Sequence, residues 1–345
     1  MSLNSEILEQ PERIQALLSS QKRQVQEVAA ALRSRNISYV FLAARGTSDN
    51  AGRYANYLWG ARNQLPLALA TPSLFTYYRQ PPKLAGALVV AISQSGQSPD
   101  IVSVLEEGKR QGCVTLAITN EPASPLADSA DFVLDIQAGS EKAVAATKTY
   151  TTELTVIAML SAALNQDKEA WRELARVPKW IRQALKQEQL IARAAQRYRY
   201  MRQCVVLGRG YNYATAFEWA LKLKELTYVE AEPYSSADFQ HGPIAMMERG
   251  FPVMVIAPQG KVFEPLLEVI ARLRKDFLAD LMVISNTKKA LSLAQIPVSI
   301  SDEIPEWLTP IVSIVPAQLL ANHLTLVKGY DADQPRSIHK VTETR

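Results

Sequence analysis

The chain has 345 residues, 48% hydrophobic and 21% charged, which is enough for about two domains with an ordinary core in each. That composition excludes a disordered chain, and 14 Gly with 19 Pro excludes a collagen-like or low-complexity one. A net charge of +4, from 38 Lys+Arg against 34 Asp+Glu, is too small and too dispersed to predict a nucleic-acid partner.

Basic residues cluster only around Arg193, Arg197, Arg199 and Arg202. Cys113 and Cys204 each precede an apolar run, as buried and inert thiols do, and two cysteines are too few for a disulfide framework or a zinc site. No apolar leader follows Met1, and no apolar run reads as long enough to span a bilayer. The expectation is a cytoplasmic chain without membrane, metal or cofactor.

The first 35 residues read as an amphipathic helical arm, with Pro11 near a helix start, where its missing N–H costs least. Short apolar runs then alternate with helical patterns, the signature of a parallel sheet with crossover helices. In the first half the strands are 39–44, 87–93, 113–119 and 131–136. The helices run from Asp49 to Gly60, from Ser98 to Gln111, and from about Lys142 to Leu164. A charged, helical connector follows over 166–200, with Pro178 expected to break or kink it.

The second half repeats the order: strand 203–208, helix Tyr213 to about Val229, strand 252–258, helix Val262 to Phe277, then strands 281–285 and 296–300. Matched strand positions are offset by 165 residues (Val40 to Val205, Val90 to Val255) or 167 (Leu116 to Val283). Such agreement predicts duplication of one α/β unit. The resulting plan is an arm (1–35), two tandem doubly wound parallel-sheet domains (36–165 and 201–330), the connector (166–200) and a polar tail (331–345).

The copies diverge after their second long strand. Copy one reads Ser93-Gln94-Ser95-Gly96-Gln97-Ser98 and copy two reads Pro258-Gln259-Gly260-Lys261, so the turn glycine recurs at Gly96 and Gly260 without the hydroxyls. Hydroxyls, a glycine turn and a helix N-terminus together make an anion cradle, and without a lysine in the loop it is not a nucleotide P-loop. Ser98 followed by Pro99 and Asp100 also reads as a plain helix cap. Gly46-Thr47-Ser48-Asp49 repeats the geometry after the first strand, where open α/β sheets bind ligands.

In copy two, Glu218, Lys222 and Glu225 share one helix face. They form either a solvated ion-pair face or, given the flanking Trp219, Leu223 and Leu226, a covered acid–base group. His241 lies in the polar, turn-rich stretch 234–243, where an acid–base histidine is more natural than on a helix, as for His323. Lys340 alone would be an ordinary solvated tail lysine.

Taken in order, GTSDNA, SQSGQSPD, SEKAVAATKTYT, the block from GRGYNYATAFEWALKLKE to ADFQHGPIAM, and DADQPRSIHKVTET resemble the tandem sugar isomerase (SIS) domain family. The resemblance is nearest to the isomerase half of glucosamine-6-phosphate synthases and to the SIS-type glucosamine-6-phosphate deaminases. It implies that Ser48, Ser93, Gln94, Ser95 and Ser98 hold a sugar phosphate. Val144 would meet the sugar hydroxyls through its backbone, with Glu141 in the same loop. Glu225 would move a proton between C1 and C2 with Lys222 as its helper, His241 would open the ring across a homodimer interface, and Lys340 would be the Schiff-base lysine.

Neither cysteine matches the terminal nucleophile of a glutaminase domain, and SQSGQSPD and EKAVAATK resemble the deaminases. The expected reaction is hydrolysis of glucosamine 6-phosphate to fructose 6-phosphate and ammonia. Alternatives are an ammonia-dependent synthase, a fructosamine-phosphate deglycase, action on the galacto epimer, or a non-catalytic sugar-phosphate sensor.

Overall fold

The computed structural model describes residues 2–338 and Lys340. His339 and residues 341–345 of the expected tail lie outside the described residues. Among the described residues, ten strands form two five-stranded, all-parallel sheets. The first contains β1 (Tyr39–Ala43), β2 (Leu67–Leu69), β3 (Ala87–Ser93), β4 (Val114–Thr119) and β5 (Phe132–Asp135), in the order β2-β1-β3-β4-β5. The second contains β6 (Gln203–Gly208), β7 (Glu230–Ser235), β8 (Pro252–Ile256), β9 (Asp280–Ser285) and β10 (Ile296–Ser299), in the order β10-β9-β8-β6-β7. Matched strand for strand these orders are identical, so the expected α/β duplication is present.

Both orders place the topological switch beside the first strand of the copy, between β1 and β3 and between β6 and β8. The central strands are covered on both faces: all seven residues of β3 are buried, as a run of Ala, Leu, Val and Ile flanked by helices requires. Phe41, Ala91, Ile101, Val104, Leu105 and Leu126 pack together on one face of the first sheet. Leu207, Phe239, Phe251, Val255, Phe263 and Ile270 do so on the second.

By its internal contacts the chain forms two compact units, neither continuous in sequence. Of the described residues, one comprises 2–11, 142–147 and 176–338; the other comprises 12–141, 148–175 and Lys340. The connector is three short helices, Lys168–Leu174, Val177–Leu185 and Glu188–Arg197, and Pro178 sits in the first turn of the second. There its missing N–H removes no helical hydrogen bond.

Three expectations need correction, and two strands escape the sequence reading. The helix expected from Lys142 starts at Lys148, because residues 142–147 form a loop held by side chains. The stretch 234–243 is not one loop, since Tyr234 and Ser235 end β7 and Ser236–Gln240 is a helical turn. β7 and β2 escape an apolar-run reading because each is an edge strand with partial burial, which also lets β7 accept Pro233. Finally, Glu306–Val327 is long and apolar enough to cross a membrane, with mean hydropathy 1.4 over its best window. That window is 83% buried inside the protein, as for a core helix.

Candidate active site

In the unit built on the first sheet, β1 and β3 pair in register and deliver two turns side by side at their carboxyl ends. β1 leads into the helix Gly46–Asn63, and β3 leads through Gln94–Ser98 into the helix Pro99–Arg110. Arg45, which the sequence reading missed, links the two turns. Its Nε and Nη2 lie 2.9 and 2.8 Å from Oδ2 of Asp100, a carboxylate with no exposure in the first turn of the second helix.

The second turn has the geometry of an anion cradle. Gly96 takes φ +61°, and a Cβ there would meet Ser124 Oγ at 2.0 Å, so only glycine fits. Ser93 Oγ accepts the Gly96 N–H at 3.2 Å and Ser95 Oγ accepts the Gln97 N–H at 3.3 Å, which leaves each hydroxyl hydrogen to donate elsewhere. Ser98 occupies the N-cap position, yet its side chain makes no capping hydrogen bond. Gly260, the matching glycine of copy two, lies outside the left-handed region, and the space a Cβ would need is filled by Glu306. The same residue type therefore answers two different packing demands.

Ser48 sits in the first turn of the other helix and donates to Oε1 of the buried Glu153 at 2.8 Å. Glu153 is a second residue the sequence reading missed, since nothing in its spacing marks it. Next to Ser48, burial pushes the Asp49 carboxyl up, against the pull of Arg53 and Arg45. A cavity of about 590 Å³ opens beside Gln94 and is lined also by Arg13, Asn120, Asp135, Gly139 and Glu141. At its edge Lys340 Nζ lies 2.7 Å from Glu141 Oε2, and Glu141 also accepts from the N–H and hydroxyl of Thr149 at 3.1 and 2.8 Å. Lys340 is therefore not a free tail lysine.

In the unit built on the second sheet, β6 leads through residues 209–212 into the helix Tyr213–Thr227. Asn212 fixes its start: Nδ2 donates to Thr309 at 2.7 Å while Oδ1 accepts from Thr215 and Ser313 at 3.1 and 2.9 Å. On this helix Lys222 Nζ lies 2.5 Å from Glu225 Oε2 and 3.4 Å from Glu218 Oε1. Lys222 and Glu218 have 1% and 0% side-chain exposure and Glu225 has 24%. The solvated-face reading is therefore excluded, because an ammonium is enclosed with two carboxylates and only Glu225 reaches solvent.

Val144 is half-buried in the 142–147 loop of this same unit. His241 is exposed and ends the short Ser236–Gln240 helix, its N–H on the Asp238 carbonyl at 3.0 Å. The positions named from sequence thus fall into two groups. Ser48, Ser93, Gln94, Ser95, Ser98, Glu141 and Lys340 gather at the carboxyl end of the first sheet's unit. Lys222, Glu225, His241 and Val144 belong to the other unit.

The SIS domain family matches residues 33–163 and 198–328, one match on each sheet. The chain belongs to the SIS domain family. An isomerizing glutamine–fructose-6-phosphate aminotransferase of Thermus thermophilus is 35% identical over 97% of this chain and 57% of its own length, so the chain spans a little over half of that relative. A Silicibacter pomeroyi protein, provisionally assigned as a phosphosugar isomerase, has a solved structure that superposes with TM-score 0.87 at 34% identity. The match covers 96% of this chain and 99% of that one. The C-terminal domain of the glucosamine-fructose-6-phosphate aminotransferase of Francisella tularensis superposes with TM-score 0.85 at 28% identity, over 96% and 98% of the two chains. Likeness to these three proteins covers nearly the whole sequence.

Proposed function

We propose that this SIS protein is an amino sugar phosphate isomerase that deaminates a hexosamine 6-phosphate, with glucosamine 6-phosphate as substrate and fructose 6-phosphate and ammonia as products. The observation that carries the reading is the enclosed Glu218–Lys222–Glu225 group, which keeps one partly exposed carboxylate, Glu225, beside a fixed ammonium. A sensor that only binds a sugar phosphate has no use for such a group, and burying it without a function is costly.

In this reading Ser93, Ser95 and Ser98 donate their hydroxyls to the phosphate, helped by the helix that starts at Pro99. Ser48 joins them by turning from Glu153, and Gln94 lines the adjoining cavity. His241, supplied across a homodimer interface, assists opening of the pyranose to the C1 aldehyde. Glu225 removes the C2 proton, giving an enolamine with hydroxyl on C1 and amine on C2, and Lys222 offsets charge growing on the C1 oxygen. The proton returns to C1, which becomes CH2OH, and C2 becomes an iminium. Water adds to C2, the C–N bond breaks, and ammonia leaves with the ketose phosphate. Val144 backbone groups meet the sugar hydroxyls, and Lys340 with Glu141 closes the sugar end.

A second reading runs the same steps in the direction of amination with ammonia, and the 35% identity to an aminotransferase favours it. Measuring ammonia and ketose release across hexosamine 6-phosphates and fructosamine 6-phosphates, and the reverse reaction with ammonium, separates the two. Glu225→Gln should lower kcat at least a hundredfold in either direction; near-normal turnover would sink the assignment.

A further inference from the structure

The N-terminal helix Leu3–Leu8 carries a carboxylate that the chemistry above does not use. Glu6 has 0% exposure, which is rare for a glutamate without a specific task. Its Oε1 accepts the Lys142 N–H at 2.6 Å and the Ala143 N–H at 3.4 Å, and its Oε2 accepts the Ala143 N–H at 3.3 Å. The far end of the same loop is held too: Gln318 Nε2 donates to the Thr147 carbonyl at 3.2 Å. Gln10, next along the arm, donates to both Gln318 Oε1 and the Ile7 carbonyl at 2.9 Å. Gln10 and Gln318 are 0% and 1% exposed. Two buried side chains, Glu6 and Gln318, therefore grip a six-residue loop by its backbone, with Val144 between the grips and Gln10 bracing Gln318. The same short helix also holds the start of the tail, because the Leu3 N–H donates to Asp333 Oδ1 at 2.6 Å.

We propose that Glu6 is a positioning residue for the substrate: its buried carboxylate sets the peptide planes at Lys142 and Ala143 so that the backbone around Val144 faces the sugar hydroxyls. The physical reason is that a loop of small residues, Ala143, Ala145 and Ala146, has few side-chain contacts with which to fix itself. Charge-assisted hydrogen bonds at one end and a hydrogen bond from the Gln318 amide at the other replace that packing. Sugar hydroxyls are bound alike in ground and transition states, so the effect should fall on KM rather than kcat. The inference rests on the function proposed above.

Glu6→Gln tests it, because an amide keeps the shape but turns one oxygen into an N–H donor facing the Ala143 N–H. The expected result is a KM for glucosamine 6-phosphate raised at least tenfold, with kcat within about threefold and affinity for inorganic phosphate unchanged. Gln318→Met, which releases the other end, should move KM the same way and serves if Glu6→Gln does not fold. An unchanged KM with only a lowered Tm would reduce Glu6 to a structural role and overturn the proposal. If the native protein turns over no hexosamine 6-phosphate, the proposed function fails first, and fructose 6-phosphate binding becomes the readout. Equal affinity in both proteins, or no binding by either, then overturns the positioning role.

Discussion

The ammonium of Lys340 lies 2.7 Å from Oε2 of Glu141, whose side chain has no solvent exposure. Nearly two hundred residues separate them in sequence, so no local rule forecasts the pair. The two ends of the pair are unequal. Without Lys340, Glu141 keeps its Thr149 bonds but its buried carboxylate loses a cation at 2.7 Å. Without the charge on Glu141, Lys340 at 23% exposure still reaches water. Lys340→Met should therefore cost about 3 kcal/mol and Glu141→Gln only about 1 kcal/mol, read from urea denaturation. The reverse order would mean that the pair is largely solvated in solution.

Lys222 makes a stronger demand on stability. Its removal leaves Glu218, at 0% exposure, facing Glu225 without the intervening cation. Lys222→Met should destabilise the protein by about 3–5 kcal/mol, while Glu225→Gln, at a partly exposed position, should cost about 1 kcal/mol or less. Paired denaturation curves measure both. Loss of activity in Glu225→Gln at near-native stability is then a chemical effect and not unfolding.

Two glycines in the left-handed region separate backbone strain from steric closure. Gly46 at φ +52° has nothing within 4 Å of the position of a Cβ, so Gly46→Ala pays only the backbone term, about 1 kcal/mol. Gly96→Ala adds a collision with Ser124, Oγ at 2.0 Å, and should cost about 2–4 kcal/mol. It should also weaken inorganic phosphate binding at least tenfold, as titration calorimetry would register, because Ser93 and Ser95 hold the same turn. Equal losses of stability in the two variants would count against the cradle geometry.

Burial pushes the Cys204 thiol up to about 12 from an ordinary value of 9.0. Below pH 9 the thiol is protonated whether folded or unfolded, so it adds no pH dependence. Between pH 9 and 12 the unfolded chain loses that proton first, and stability falls as pH rises, by up to about 4 kcal/mol across the window. Cys204→Ala should flatten that decline between pH 9 and 11. Iodoacetamide should label the half-buried Cys113 slowly and Cys204 only on unfolding, since the Cys113 thiol is raised as well, mainly by desolvation. Mass spectrometry of the labelled protein distinguishes the two sites.

Sequence alone was enough for the duplicated α/β plan. Buried parallel strands are nearly continuous apolar runs, as in β3 and β9, and their repeat distance survives divergence of everything between them. It also marked Ser93 to Ser98 and Glu218, Lys222 and Glu225, because strand–turn–helix junctions and helical spacing are local geometry. The edge strands β2 and β7 were lost because an edge strand needs neither full burial nor clean alternation. Only the tertiary structure decided whether the Lys222 face was wet or enclosed, since burial depends on what packs over a helix and not on its own spacing. Only it could join Arg45 to Asp100, Ser48 to Glu153, Lys340 to Glu141, and Glu6 to the backbone of 142 and 143. Those partners lie roughly 50 to 200 residues apart, and a charge in the chain carries no record of the partner that folding brings to it.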